Sequence, residues 1–399
     1  MGPSVRPIRP LLAAFAPVII FPRPENTGGY LWPHMELRSI LRTALLASIG
    51  PLFFGCSTDL DVTAPYKEIT VVYSLLNKND NIHWVKINKA YLGDGDAFLY
   101  AQIADSTEYT EEQLPEDQRR IEMVDADGNV VQTLVLRDTI LDGRLDGLFN
   151  GPLHKMYYFR GSFPDGTLDR NYRYRLVATA KGNRVETITP IVNDLEFRST
   201  VAGPGTEISF IQAQTYQPYQ VRWFTTENGR RYEMYYRFHY DEVTDNATTP
   251  KVFDTFIGSV VSSNQNGQED NVVLNGQLFY QTVANTVRYA DPAQEAAVQS
   301  RIFRGIEFYA WVAAPDLHVY LQLANPISGI VEERPDYSNV TGGYGLFSSR
   351  VYRIVPTQAQ GGDISQRKRL NDASITELEE GPITGSLRFC VPSPLSAPC

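Results

Sequence analysis

The 399-residue chain is 43% hydrophobic and carries a formal net charge of −10. It is apolar enough for real cores and long enough for about two domains. The acidic balance argues against nucleic acid, which demands a basic surface. Three cysteines without C-x-x-C spacing and five scattered histidines argue against structural zinc.

Residues 1–34 are proline-rich, with a short apolar run at 11–21. They read as upstream sequence ahead of a true start at Met35; the alternative is that Arg6, Arg9 and the apolar run form a signal of their own. From Met35 the pattern is secretory: Arg38 and Arg42, a mostly apolar stretch, then Gly55 before Cys56. A charged start, an apolar centre and a small residue at the cut define such signals, ~15–30 residues long, and 35–55 fits. Its apolar centre is too short to span a bilayer, which takes ~20 residues. FFGC at 53–56 resembles a bacterial lipobox, cut before a cysteine whose sulfur carries diacylglyceryl; Phe53 stands where leucine is usual. Cys56 is therefore expected to be lipidated. Residues 56–64 are the expected acylated tether, and STDLD resembles the acidic tethers of surface lipoproteins in Bacteroidota-type cells. The alternative is a cut elsewhere, with Cys56 incidental. Several acyl chains on one cysteine hold firmly where one alone binds marginally.

The body is expected to be mainly β, because tyrosine and β-branched residues favour half-buried strands. Residues 65–190 form the first expected domain. EITVVYSLL (68–76) and HWVKINKAYL (83–92) read as strands, and RRIEMVDADGNVVQTLVL as a hairpin turning at Asp127-Gly128. In NYRYRLVATA, Tyr172, Tyr174, Leu176 and Ala178 alternate with Arg173, Arg175 and Val177. With Lys181-Gly182-Asn183 following, this resembles the F–G hairpin of immunoglobulin and fibronectin type III sandwiches, with Tyr172 in the tyrosine-corner position.

Residues 191–360 form a second expected antiparallel β domain with a few short helices. PYQVRWFTTENGRRYEMYYRFHYDEV (218–243) reads as a hairpin turning at Asn228-Gly229. Tyr232, Met234, Tyr236, Phe238 and Tyr240 share its core face; Glu233, Tyr235, Arg237, His239 and Asp241 share the wetter one. Asp291-Pro292 opens a helix over AQEAAVQSRIF. GIEFYAWVAA (305–314) reads as a buried strand and PDLHVYLQLAN (315–325) as a helix. Residues 361–399 are a C-terminal segment with a loose tail. Its helix, DASITELEEG (372–381), is capped by Asp372 or Ser374 and stopped by Gly381. Cys390 and Cys399 are expected as free thiols, with a disulfide across the tail as the alternative.

Chemistry is sparse. G-x-S-x-G, H-E-x-x-H, Walker and G-x-G-x-x-G patterns are missing from the sequence. His83, His154, His239 and His318 lie scattered beside aromatics. GDGDA (93–97) and DADGN (125–129) resemble fragments of calcium loops but lack the EF-hand register, so turns explain them better. No metal or cofactor is expected. The binding candidate is PDYSNVTGGYGLFSSR (335–350), where Tyr337, Tyr344 and Phe347 are anchors. Gly342, Gly343 and Gly345 would let the backbone bring the rings to one side. The alternative is a loop that merely caps the sandwich.

VVYSLLNKNDNIHWVKINKAYLGDG, NYRYRLVAT, YSNVTGGYGLFSSR and ITELEEGPITGSLRFC together resemble the outer-membrane lipoproteins of Bacteroidota that carry a domain of unknown function with an immunoglobulin-like front half. Ser74 departs from that family's early strand, where glycine is usual. The resemblance implies a lipid-anchored outer-membrane protein exposed at the cell surface, with a periplasm-facing orientation as the alternative. It also implies a non-enzymatic accessory role beside a TonB-dependent nutrient receptor, with a peptide or glycan as ligand. No catalytic residues come with it. The competing readings are a structural or adhesive surface module without a soluble ligand, and a hydrolase with a motif-free site.

Overall fold

Alternating apolar residues in the first strands leave one face that only another sheet can cover. The computed structural model describes residues 67–92, 97–145, 147, 149–203, 206–263, 267–324, 336–356 and 367–392. The expected leader, signal and tether, with Cys56, lie outside them. β1 (Lys67–Leu76) and β2 (His83–Leu92) pair antiparallel, with Lys67 opposite Leu92. Two short helices follow, α1 (Ala97–Ala101) and α2 (Ala104–Thr107).

β3 (Arg119–Val124) and β4 (Val130–Val135) form the expected hairpin. The Asp125 carboxylate closes its turn, accepting from the amides of Asp127 (3.0 Å) and Asn129 (2.8 Å). β5 (Arg137–Leu141), β6 (His154–Phe159), β7 (Arg173–Ala180) and β8 (Asn183–Thr189) complete the first lobe. β4-β3-β7-β8 make a four-stranded sheet. It packs Ile121, Tyr174, Leu176 and Val185 against Val72, Val85, Ile87 and Phe159 of β1, β2 and β6. That is a β-sandwich, held by the apolar faces that alternation supplies.

Its tyrosine corner is Tyr174, not Tyr172. The Asp169 amide donates to Tyr174 Oη at 2.9 Å, and Oη donates to the Asp169 carbonyl at 3.3 Å. Tyr174 is buried, whereas Tyr172 only packs against the edge of the core. Two residues of register separate them, and both lie on the inward face; the position closer to the strand interior is the one covered.

The second lobe begins with β9 (Glu196–Phe197), α3 (Ser199–Ala202), β10 (Ile211–Gln212), β11 (Thr215–Tyr216) and β12 (Tyr219–Phe224). Then come β13 (Arg231–Thr244), β14 (Thr248–Val261), β15 (Glu269–Leu274), α4 (Gly276–Val287), α5 (Pro292–Ala297) and β16 (Val298–Ala313). The expected hairpin across Asn228-Gly229 does not form. β12 pairs with β15 and β9, while β13 pairs with β14 and β16. The 225–230 segment is a corner that carries the chain between layers, so that Trp223 and Tyr232 stack at 5.8 Å instead of pairing side by side. Gly229 sits where a Cβ would lie 2.6 Å from Tyr232 Oη and 2.9 Å from Val312. Close approach, not a hairpin turn, accounts for the glycine. The core face of β13 is as expected: Tyr232, Met234, Tyr236, Phe238 and Tyr240 are all buried.

The helix expected after Asp291 stops at Ala297, because β16 is drawn into pairing with β13 from Val298 onward. α6 (Pro315–Ala324), β17 (Tyr344–Val355), α7 (Asp372–Glu380) and β18 (Phe389–Cys390) end the fold. The cap of α7 is Asn371, whose side chain accepts from the Ser374 amide at 3.2 Å, rather than Asp372 or Ser374. Cys390 is in a disulfide, which corrects the expectation of a free thiol there.

β17 joins the lobes. Its first half pairs parallel with β1, from Val71 opposite Tyr344 to Leu76 opposite Ser349. Its second half pairs antiparallel with β16, from Ala313 opposite Arg350 to Phe308 opposite Val355. At the hand-over, Ser349 Oγ donates to the Pro190 carbonyl (2.7 Å) and accepts from the Val192 amide (3.1 Å). The result is a nine-stranded sheet, ordered β14-β13-β16-β17-β1-β2-β6-β5 with β18 beside β16. The two cores share one sheet and do not divide along the chain: the first takes in Val340 and Phe347 of the 336–356 segment, and the second takes in Leu370, Leu378, Leu387 and Phe389. The protein is mainly β, with few and short helices.

Candidate functional site

The loop that carries Tyr337, Tyr344 and Phe347 does not gather them on one side. Phe347 is 0% exposed and belongs to the core of the first lobe, so it cannot serve as a docking anchor. Asn339 holds its backbone: Nδ2 donates to the Phe347 carbonyl (2.8 Å) and Oδ1 accepts from the Phe347 amide (2.9 Å). Ser338 Oγ accepts from the Gly345 amide at 3.0 Å. Gly345, at φ +126°, lies where a Cβ would be 1.9 Å from the Val72 carbonyl; at Gly342, φ +75°, the corresponding distance to the Arg184 carbonyl is 2.3 Å. These glycines let β17 lie tight against β1 and β8. Tyr344 and Tyr337 are half-buried. Tyr337 donates to Asp316 of α6 and packs with Leu317, Tyr320 and Leu346. Burial, then the Asp316 carboxylate, pushes its phenol pKa well above the ordinary range. The motif is a clip between strands.

A different face carries the chemistry. Alternation points Glu233, Tyr235, Arg237, His239 and Asp241 of β13 away from the core. Cross-strand register sets Trp311 beside Glu233, Tyr309 beside Tyr235 and Glu307 beside Arg237 on β16. Tyr352 follows on β17 and Phe256 on β14. The rings touch in series. Phe256 meets Tyr235 at 5.2 Å, Tyr235 stacks on Tyr309 at 5.0 Å with 3° between planes, Tyr309 meets Tyr352 at 5.6 Å, and Tyr352 meets Trp311 at 4.7 Å. Arg237 lies over Tyr309 at 5.3 Å and Arg350 over Trp311 at 4.6 Å. Cations over ring faces are attracted by the ring quadrupole.

Charges border the row. Arg237 forks onto Asp254 at 2.7 and 2.9 Å, and that pairing holds the guanidinium above its ordinary pKa. His239 Nε2 lies 2.7 Å from Glu307 Oε2, with Arg367 3.9 Å from the other carboxylate oxygen. Arg304 pairs with Asp241 at 2.7 Å. Burial lowers the pKa of Arg350 against the opposing pull of Asp80. Burial also pushes the Tyr235 phenol up to about 12, so it stays a neutral hydrogen-bonding group at physiological pH.

The buried Glu307 orients the His239 imidazole. Among the described residues no group of three or more His, Cys, Asp or Glu is placed to hold a metal. Tyr309 at the centre is buried, so what the face offers is the exposed Phe256 ring and the partly exposed rings of Tyr235, Tyr352 and Trp311, with Arg237 over Tyr309 and Arg350 over Trp311. Phe256 is 51% exposed and Val252, on the same strand, 56%. The sequence marked the β13 residues of this face as the wetter side of a strand. Trp311, Tyr309, Tyr352 and Phe256 join them only through pairings distant in sequence.

Compared with known proteins, the chain matches no family model, and no curated protein matches it either. Among solved structures, it is similar to the C-terminal globular domain of an oligosaccharyltransferase from Pyrococcus abyssi at 13% identity and a TM-score of 0.24. That alignment covers 62% of this chain and 46% of that one, so the chain spans under half of its length. A likeness at that level carries no argument about function.

Proposed function

We propose that this chain is a non-enzymatic binding protein, held at the outer membrane by lipid on Cys56 and exposed at the cell surface as an accessory to a TonB-dependent nutrient receptor. The observation that carries the binding reading is the row Phe256–Tyr235–Tyr309–Tyr352–Trp311, flanked by Arg237 and Arg350. Aromatic rings with polar edges offer large contact area at low entropy cost, and with arginine they dominate binding hot spots. A row of this kind, running across four strands, suits an extended peptide or a glycan chain. The signal-like segment and Gly55-Cys56 support the anchor.

The test has two arms. Cys56→Ser should leave the protein unprocessed or release it from membranes; a variant that is processed and stays in the membrane fraction overturns the anchor. The Phe256→Ser, Trp311→Ala double variant should lose most recovery of partner from native outer membranes while remaining folded. Undiminished recovery overturns the binding face and favours the structural or adhesive reading.

A further inference from the structure

A second surface lies on the first lobe, around α1. Asn150 donates from its amide to the Ala101 carbonyl at 3.0 Å, and Gln102 Nε2 donates to the Gly147 carbonyl at 3.0 Å. These bonds bind the segment 97–103 to the loop before β6. Arg144 turns that loop back on itself, donating to the Asn150 carbonyl at 3.1 Å and covering the Phe149 ring at 4.9 Å. The two segments present Phe98, Leu99, Ile103, Leu145 and Leu153, each between 49% and 67% exposed. Single exposed apolar residues are ordinary, but several large ones on two segments tied together mark an interaction surface.

The chain's own connectivity indicates the occupant. Lys67, the first residue of β1, pairs with Leu92, the last of β2. Chain length alone keeps Ala97 within ~18 Å of Leu92. The bridge between Asn88 and Glu108 and the ion pair of Lys86 with Glu108 (2.9 Å) hold α2 against β2. The apolar surface therefore sits at the end of the lobe where the N-terminal segment enters. From Cys56 to Lys67 the extended chain reaches at most ~40 Å, so a lipid on Cys56 keeps this end of the molecule near the bilayer.

We propose that the surface formed by Phe98, Leu99, Ile103, Leu145 and Leu153 seats the first lobe on the bilayer that carries the Cys56 lipid. The inference rests on the lipoprotein reading. Apolar side chains enter the headgroup boundary with an affinity that grows with buried area, and a second contact beside a covalent anchor acts at high effective concentration. Docking at this end holds the far end of the sheet away from lipid. β17 runs from Tyr344, opposite Val71 of β1, to Ile354, opposite Tyr309 of β16, roughly 33 Å of strand leading away from the Lys67 end. The aromatic face then stays open to a partner.

The test places an environment-sensitive NBD fluorophore at Leu99→Cys in the full chain, expressed with its own signal, processed in cells and reconstituted into phosphatidylethanolamine–phosphatidylglycerol vesicles. Val252→Cys on β14 is the control position, and mass measurement reports whether Cys56 carries lipid. The expected result is a lipidated protein in which the label at 99 is blue-shifted and quenched several-fold more by spin-labelled lipid than the label at 252. Lipidated protein with a solvent-exposed label at 99, or equal quenching at both positions, overturns the docking and leaves the lipoprotein reading intact. Absence of lipid on Cys56 overturns both. A blue shift at 99 in the Cys56→Ser protein without vesicles, growing with protein concentration, assigns the surface to self-association and also overturns the proposal.

Discussion

Tyr174 shows how a side chain is chosen by register. Its hydroxyl closes a loop onto Asp169 while its ring fills the core between the two sheets, and burial lifts its phenol pKa well above the ordinary range. Tyr174→Ala should cost ~3–5 kcal/mol, as for other buried aromatics, and Tyr174→Phe about 1 kcal/mol for the lost hydrogen bonds. Urea denaturation measures both; an alanine variant within ~0.5 kcal/mol of wild type contradicts the corner. Lys368 offers a test by pH. Its ammonium is buried and donates to the Gly203 carbonyl (2.7 Å) and to Thr206, and burial lowers its pKa to about 8 from the ordinary 10.5. The unfolded chain then holds the proton more tightly, so this residue's contribution to stability increases as pH rises from about 8 toward 10. Lys368→Met should flatten that rise in denaturation experiments across pH 7–10, and an unchanged slope contradicts the assignment. At this scale the sequence revealed which residues alternate inward but not how deeply each is covered. Tyr172 and Tyr174 share a face, and Phe347 looked like a loop residue because glycines surround it.

Among the elements, local signals served where the partner is local. The hairpin at Asp127-Gly128, the strand 83–92 and α6 all follow from turn residues or spacing within a few residues. α4 has Phe279, Tyr280, Val283, Ala284 and Val287 at helical spacing behind an Asn275 cap, a pattern available in the sequence but not read there. The Asn228-Gly229 pair misled because a corner between layers uses the same residues as a hairpin. The parallel union of β1 with β17 was beyond local reading, since it joins strands at opposite ends of the body. Gly345 makes that union possible. Gly345→Ala combines a φ of +126° with a Cβ only 1.9 Å from the Val72 carbonyl. Either the residue or β1 must move, and a loss of more than ~3 kcal/mol is expected. Wild-type stability in that variant, measured by thermal and urea unfolding, contradicts the role given to the strand.

The whole molecule is organised by the shared sheet. β17 belongs to both lobes, and Ser349 pins the segment between them. Tyr66–Cys399 forms a single compact unit. Trp84 in the first lobe and Trp223 in the second should therefore report one unfolding midpoint when each is followed in a variant lacking every other tryptophan, Trp311 included; two separated midpoints contradict the coupling. The proposed binding depends on the same continuity, because the row of rings needs strands β14, β13, β16 and β17 held in one register. The most direct test of the central claim replaces Phe256 with photoreactive benzoylphenylalanine and irradiates intact cells. A discrete cross-linked species is expected, disappearing when Trp311→Ala is added, with the amount of protein at the cell surface unchanged. No cross-linked species from position 256, or one whose yield is indifferent to Trp311→Ala, would contradict the claim.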